Sequence, residues 1–286
     1  MSNAISVVGL VPHPDRPLAH ELAEQIATWL RERGIEVRVC DPFGGMGPLT
    51  TGDTDEFTRG LDVAISLGGD GTMLRTVDLV YESGAAVLGV NVGQLGYLTD
   101  VEPEDLGTAL ERLLAGDFEI DERMVLDVTV GSGGAAAGRW WALNEAVLEK
   151  VRTGRLVRLD VAINGAPFTS YAADGVIVAT PTGSTAYSFS ARGPIVSPRH
   201  RCLLLTPVSP HMLFDRPLVL DAEEELRFTV AAERSVVLTL DGRELGPLDV
   251  GDTVTCTGGP KPTRIVTFGR RDFHQILKAK FGLPDR

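Results

Sequence analysis

Residues 61–83 hold the segment that most constrains the fold. An apolar run, 61–67, breaks at Gly68-Gly69-Asp70-Gly71-Thr72 and is followed by Met73, Val77 and Val80 at helical spacing. A short continuous apolar run of this kind fits a strand buried on both faces, as in parallel sheets covered by helices. Three glycines around one aspartate let the backbone approach a ligand closely and take up positive φ. The turn then opens a helix (expected over 73–83) whose first N–H groups suit a phosphate. In open α/β sheets ligands sit at the carboxyl ends of strands, where this turn falls. The plainer alternative is a tight turn with Asp70 capping the helix.

The alternation of strand and helix extends over residues 1–120. Residues 5–10 read as a buried strand, and Leu18, Leu22, Ile26, Trp29 and Leu30 form one apolar helical face closed by Gly34. Residues 37–40 and 85–90 read as further strands, and 103–115 as a helix ending at Gly116. Residues 41–60 carry five glycines and little periodicity, which predicts a long loop, mobile over a site. Together these argue a doubly wound, parallel α/β domain.

Residues 121–264 read instead as a β-rich domain. Short strand-like runs cover 125–130, 140–148, 156–163, 176–180, 202–208, 226–230, 236–240 and 254–256, separated by turn residues. Asn164-Gly165 and Asp241-Gly242 are dipeptides favoured in two-residue hairpins. The tail, 265–286, has Phe273, Ile276, Leu277 and Phe281 at helical spacing and is expected to return to the α/β domain. The fold class is thus α/β followed by β, the second domain sandwich-like.

Composition narrows the functions. The chain has 286 residues and a formal net charge of −12. Such a balance argues against nucleic acid and anionic membranes as partners, because both demand a basic footprint. Cys40, Cys202 and Cys256 are far apart and odd in number, which points to reduced, buried thiols and a cytoplasmic setting. The N-terminus lacks the pattern of an export signal, and no apolar run is long enough to span a bilayer. The five histidines show no metal-ligand spacing, and His211 reads as a packing residue. No glycine precedes a lysine, so there is no Walker A loop, and GxGxxG and GxSxG are absent too.

Two further segments carry polar chemistry. From Asp174-Gly175 an apolar run leads into Pro181-Thr182-Gly183-Ser184-Thr185-Ala186-Tyr187-Ser188. Its hydroxyls, backbone N–H groups and Tyr187 suit ribose and adenine, although a structural turn with hydroxyl caps explains the same residues. Asn144-Glu145 interrupts the apolar run ALNEAVL, so the pair is either presented at a site or bonded internally.

Taken in order, these segments resemble the NAD kinase family. The likeness runs through GGDGT (68–72), GVNVGQLGYLTD (89–100), ALNE (142–145), DGVIVATPTGSTAYSFSARGPIV (174–196) and HMLFDRPLV (211–219). It covers most of residues 60–220 and is looser at the N-terminal helix and the tail. GGDGT alone is shared with diacylglycerol, sphingosine and phosphofructokinase-type kinases. The TAYS block with the Asn-Glu pair is the specific part and decides for the NAD kinases, and the resemblance implies a fold of the diacylglycerol-kinase-like superfamily.

The resemblance implies phosphorylation of the 2′-hydroxyl of the adenosine ribose of NAD, giving NADP, with ATP as donor. NADH and polyphosphate stand as alternative acceptor and donor. Asp70 would be the catalytic base, and Gly68, Gly69, Gly71 and Thr72 would receive the phosphates. An ordinary carboxylate is a weak base at neutral pH. Phosphoryl transfer tolerates that, because it depends on positioning and charge stabilisation. Asn144, Glu145, Asp174, Thr185, Ala186, Tyr187, Ser188, Phe189 and Ser190 would bind NAD, with Asp70 and Gly71 beside them. Arg75 is a candidate phosphate contact, and Arg155 aligns with a dinucleotide-contacting position. Ala172 stands where relatives often carry a longer side chain, and Arg243 where they often have Gln. Both departures bear on the preference for NAD or NADH, or on the donor. A divalent cation, magnesium with the nucleotide, is implied, with no protein ligand assigned. The family further implies a homodimer or homotetramer and a site in the cleft between the domains. A lipid or sphingoid kinase would need an apolar entrance or basic patch, neither evident in the sequence. A non-catalytic NAD(P) sensor would most simply lack the base, and Asp70 is present.

Overall fold

The computed structural model describes residues 5–40, 54–131, 133–134, 136–151, 156–231, 236–269 and 272–284. The chain divides into two units, Met1–Glu122 with Thr263–Arg286, and Arg123–Pro262.

The first unit begins with β1 (Val7–Pro12), α1 (Pro17–Arg31), β2 (Glu36–Val39) and α2 (Thr54–Thr58). There follow β3 (Val63–Gly68), α3 (Asp70–Val80), β4 (Ala86–Asn91), α4 (Leu106–Ala115) and β5 (Glu119–Arg123). Its six-stranded sheet is ordered β2-β1-β3-β4-β18-β5, where β18 (Thr263–Thr267) comes from near the end of the chain, and β1 pairs in parallel with both β2 and β3, as β3 does with β4. Every residue of β3 and β4 is buried, which is why both read as unbroken apolar runs. The strand order reverses at β1, so the topological switch point lies between the carboxyl ends of β1 and β3.

Three expectations need correction here. The helix face of α1 is built on Ala19, Leu22, Ala23, Ile26, Ala27 and Leu30, while Leu18 is exposed. Pro17 starts the helix, and the phase it sets turns Leu18 outward and three alanines inward. Within the expected loop 41–60, Thr54–Thr58 is helical, because Phe57 is fully buried and Asp55 and Glu56 lie in the first turn, where the helix dipole favours acids. Residues 41–53 of that expectation lie outside the described residues. Finally, α3 starts at Asp70, three residues before the apolar periodicity begins.

The second unit holds β6 (Leu126–Gly131), β7 (Gly138–Ala142), β8 (Glu145–Lys150), β9 (Val157–Ile163), β10 (Ala166–Ala173) and β11 (Gly175–Ala179). A 3-10 turn, Thr182–Thr185, then leads into the one-turn helix α5 (Tyr187–Ser190). β12 (Cys202–Val208), β13 (Leu218–Asp221), β14 (Leu226–Val230), β15 (Val236–Leu240), β16 (Arg243–Leu248) and β17 (Thr253–Gly258) complete it. Two antiparallel sheets result, ordered β10-β9-β14-β17-β6-β7 and β13-β12-β11-β8-β15-β16. Their inward side chains share one core that includes Leu126, Leu148, Leu159, Tyr171, Leu205, Phe228 and Leu238. The two hairpin dipeptides have paired positive φ, 51° and 77° at Asn164-Gly165 and 47° and 78° at Asp241-Gly242, as a type I′ turn requires. The single strand expected over 140–148 is two strands, β7 and β8, broken at Leu143-Asn144.

The chain then returns to the first unit. β18 (Thr263–Thr267) pairs in parallel with β4, and α6 (Phe273–Phe281) starts at Asp272, whose side chain accepts from the His274 N–H. All three cysteines are buried, and none of them forms a disulfide. No helix among the described residues is long and apolar enough to cross a membrane.

Candidate active site

In the first unit the site is the turn after β3. Gly69 is the N-cap of α3, with extended φ −101° and ψ −165°, and Asp70 is the first helical residue. The Asp70 side chain does not cap its own helix. Its Oδ2 accepts from the Tyr97 N–H at 2.9 Å and its Oδ1 from the Leu98 N–H at 3.0 Å. The carboxylate is thereby fixed against the loop that follows β4. The glycines serve close approach: a Cβ on Gly68 would collide with Thr72 Oγ1, and one on Gly96 with Asp70 Oδ1. The N–H groups of Gly71 and Thr72 lie in the first turn, where a helix offers no internal acceptor. Gly71 is exposed, Arg75 is half-buried one turn on, and Thr72 is buried beneath the turn.

Two residues here had no place among the sequence candidates. Burial first and Asp70 second push the Tyr97 phenol above its usual range. Lys280 of α6 lies 4.4 Å from the centre of the Tyr97 ring. The block GVNVGQLGYLTD signalled the loop, but nothing local tied its amides to Asp70.

The second unit gathers three segments that are distant in sequence. The Asp241 carboxylate accepts from the N–H groups of Leu143, Asn144 and Glu145 at 2.6, 2.8 and 3.0 Å. Thr180 binds the other side of that peptide, its hydroxyl donating to the Leu143 carbonyl at 2.5 Å and its N–H to the Asn144 carbonyl at 2.9 Å. A Cβ on Gly183 would collide with the Asn144 carbonyl. The Asn144 carboxamide is half-exposed and has no partner among the described residues.

Glu145 is 7% exposed, and its Oε2 has no partner among the described residues. Burial, then the charge of Asp241, push its carboxyl up to about 8, against the Tyr187 N–H that bonds it and draws it down. The Tyr187 phenol is raised by burial and by Glu149, Asp174 and Glu145, so an exposed aromatic stands beside a group of carboxylates. One of these is compensated, because Lys150 forms an ion pair with Asp174.

The remaining candidates fall differently. Thr185 and Ala186 are half-buried, and Phe189 and Ser190 are exposed on α5. Ser188 is fully buried, its hydroxyl 3.0 Å from that of Thr206. The Ala172 carbonyl accepts from the His211 N–H at 2.7 Å. Arg243 lies 5.3 Å from the centre of the Trp140 ring. Arg155 lies outside the described residues. Among the described residues no cluster of three or more His, Cys, Asp or Glu side chains could hold a metal ion.

An α/β unit with a glycine–aspartate turn beside its switch point, joined to a β unit presenting Asn, Glu and Tyr from a tied turn, is the architecture of a nucleotide-handling kinase. The family models described as ATP-NAD kinase N-terminal domain and C-terminal domain match residues 8–118 and 143–268. The chain belongs to the NAD kinase family. It is 42% identical over 277 residues to an NAD kinase of Heliobacterium modesticaldum, covering 96% of this chain and 97% of that one. NAD kinase 2 of Streptomyces coelicolor is 38% identical over 289 residues, covering 99% and 96%. Among solved structures, yeast NADH kinase complexed with NADH superposes with a TM-score of 0.89 at 27% identity, over 100% of this chain and 90% of that one. An NAD kinase from Archaeoglobus fulgidus in complex with ATP shares the fold at a TM-score of 0.72 and 23% identity, over 96% and 97%.

Proposed function

We propose that the chain phosphorylates the 2′-hydroxyl of the adenosine ribose of NAD, using the γ-phosphoryl group of ATP, with Asp70 as base. The observation that carries the role of Asp70 is its carboxylate, anchored by two N–H groups at the carboxyl end of β3. In the reaction the ribose oxygen forms a bond to the γ-phosphorus, the bond from that phosphorus to the β,γ-bridging oxygen breaks, and ADP leaves. The hydroxyl proton passes to Asp70. A fixed carboxylate suits a reaction whose catalysis is largely positioning.

The first-turn N–H groups of α3, at Gly71 and Thr72, together with Arg75, supply positive potential for the phosphates. Gly68 and Gly69 let the chain approach them. Asn144, Glu145, Asp174 and Tyr187 hold the dinucleotide, with Thr185, Ala186, Phe189 and Ser190 forming the wall of its site. The Ser188 hydroxyl, bonded to Thr206, shapes that wall from beneath. Magnesium, which the family resemblance implies, would come with the ATP and would offset the charge of its phosphates.

The likeness to yeast NADH kinase supports NADH as a second acceptor. So does the Lys150–Asp174 pair, which removes a net negative charge that would favour the cationic nicotinamide ring. A homodimer or homotetramer in the cytoplasm is the expected setting, and three buried cysteines without a disulfide fit a reducing compartment.

The test is direct. The protein is incubated with magnesium-ATP and, separately, NAD, NADH, diacylglycerol and sphingosine, and phosphorylated product is measured. NADP or NADPH is expected. Its absence from folded protein, or product from the lipids alone, overturns the reading.

A further inference from the structure

Asp241 is tied to Asn144 and Glu145 more closely than any motif suggested. It is the first residue of the turn between β15 and β16, in the left-handed region at φ 47°, where Asp is one of the few side chains tolerated. Its own N–H donates to the Glu145 carbonyl at 3.1 Å, and its carboxylate accepts from three successive N–H groups, those of Leu143, Asn144 and Glu145. Three neighbouring N–H groups converge on one acceptor only where the backbone leaves the extended form. This is why the strand expected over 140–148 breaks there. With Thr180 holding the Leu143 and Asn144 carbonyls, the peptide is gripped on both sides. What the grip leaves over is the Asn144 carboxamide and the buried Glu145 Oε2, neither with a partner among the described residues. A purely structural anchor has no reason to leave the buried Glu145 Oε2 unsatisfied, with a half-exposed carboxamide beside it that is committed to no protein partner among the described residues.

We propose that Asp241 is a positioning residue of the NAD site, whose carboxylate sets the Leu143–Glu145 backbone so that the Asn144 and Glu145 side chains meet the dinucleotide. The inference rests on the reading that Asn144 and Glu145 bind NAD. Its consequence is selective: loss of the carboxylate weakens NAD recognition through Asn144 and leaves ATP recognition alone.

A double-mutant cycle on the full chain tests this, with Asp241→Asn, Asn144→Ala and the double variant. The readouts are KM for NAD, KM for ATP, kcat and thermal midpoint. Asn keeps the size of Asp but turns an amide group toward N–H donors and loses the charge. Expected is a rise of about tenfold or more in KM for NAD in each single variant, with KM for ATP within about twofold. The double variant should be no more than about threefold worse than Asn144→Ala alone, because both changes remove one effect. An unchanged KM for NAD in Asp241→Asn, equal rises in both KM values, or effects that multiply in the double variant would overturn the proposal. If Asn144→Ala itself leaves KM for NAD unchanged, the reading of the NAD site falls first and the proposal with it. Should Asp241→Asn not fold, Asp241→Glu, which carries the charge one methylene further out, takes its place under the same criteria.

Discussion

The Asp70 carboxylate rests directly on Gly96: a Cβ at residue 96 would collide with Asp70 Oδ1, and the next two residues, Tyr97 and Leu98, donate their N–H groups to the same carboxylate. The loop after β4 thus works as a mould for the acid at the end of β3. Gly96→Ala should displace either the loop or the carboxylate. Since a misplacement of about 1 Å can cost on the order of 10²-fold in rate, kcat should fall at least tenfold. Steady-state kinetics of the Gly96→Ala protein, with its circular dichroism unchanged, checks this.

Glu145 makes stability depend on pH. Folded, its carboxyl is pushed up to about 8, from an ordinary value of 4.5. Between those values the folded chain binds the proton that the unfolded chain releases. The stabilisation is therefore complete below about pH 4.5, lost as pH rises toward about 8, and level above. Glu145→Gln, permanently neutral, should flatten that decline and be relatively more stable in alkali, by more than about 1 kcal/mol. Urea unfolding of both proteins at about pH 5, 7 and 9 measures the difference.

Ser188 and Asn144 should separate stability from recognition. Ser188→Ala leaves the buried Thr206 hydroxyl without its partner, a cost of about 1–3 kcal/mol. Its thermal midpoint should fall, and any rise in KM for NAD should be several-fold smaller than that of Asn144→Ala. Asn144→Ala, at a half-exposed residue, should do the reverse. Thermal melts and NAD titrations on the two variants decide it.

Gly183 carries the same logic into the backbone. A side chain there meets the Asn144 carbonyl, part of the peptide that Asp241 and Thr180 grip. Gly183→Ala is expected to destabilise the fold by about 1–3 kcal/mol, the range for overpacking. It should also raise KM for NAD. Denaturant midpoints and initial rates on one preparation give both.

The sequence made some of this legible and hid the rest for identifiable reasons. β3, β4 and β12 stood out because buried strands must be continuously apolar, and the two hairpins because φ above zero at both central residues leaves few choices besides Asn-Gly and Asp-Gly. The strands it hid at 119–123, 166–173, 218–221 and 243–248 are all sheet edges, where one side faces solvent and polar residues replace the apolar signal. β18 was missed because its five residues, which follow Gly258-Gly259-Pro260-Lys261-Pro262, carry little pattern. At the site, GGDGT and the Asn-Glu pair were visible because glycines and polar breaks are rare inside apolar runs. What holds them was not. Asp241 reaches Leu143 across 98 residues, and Asp70 reaches Leu98 across 28. Such contacts are made with backbone N–H groups, which every residue except proline carries, so no residue type announces them.

The most direct measurement is transfer of labelled γ-phosphate from magnesium-ATP to NAD by the wild-type chain and by Asp70→Asn, with both shown to be folded. The wild-type protein should yield NADP labelled on the 2′-phosphate, and Asp70→Asn should be slower by about 10²-fold or more with KM for NAD little changed. Labelled NADP formed by Asp70→Asn at the wild-type rate would contradict the account.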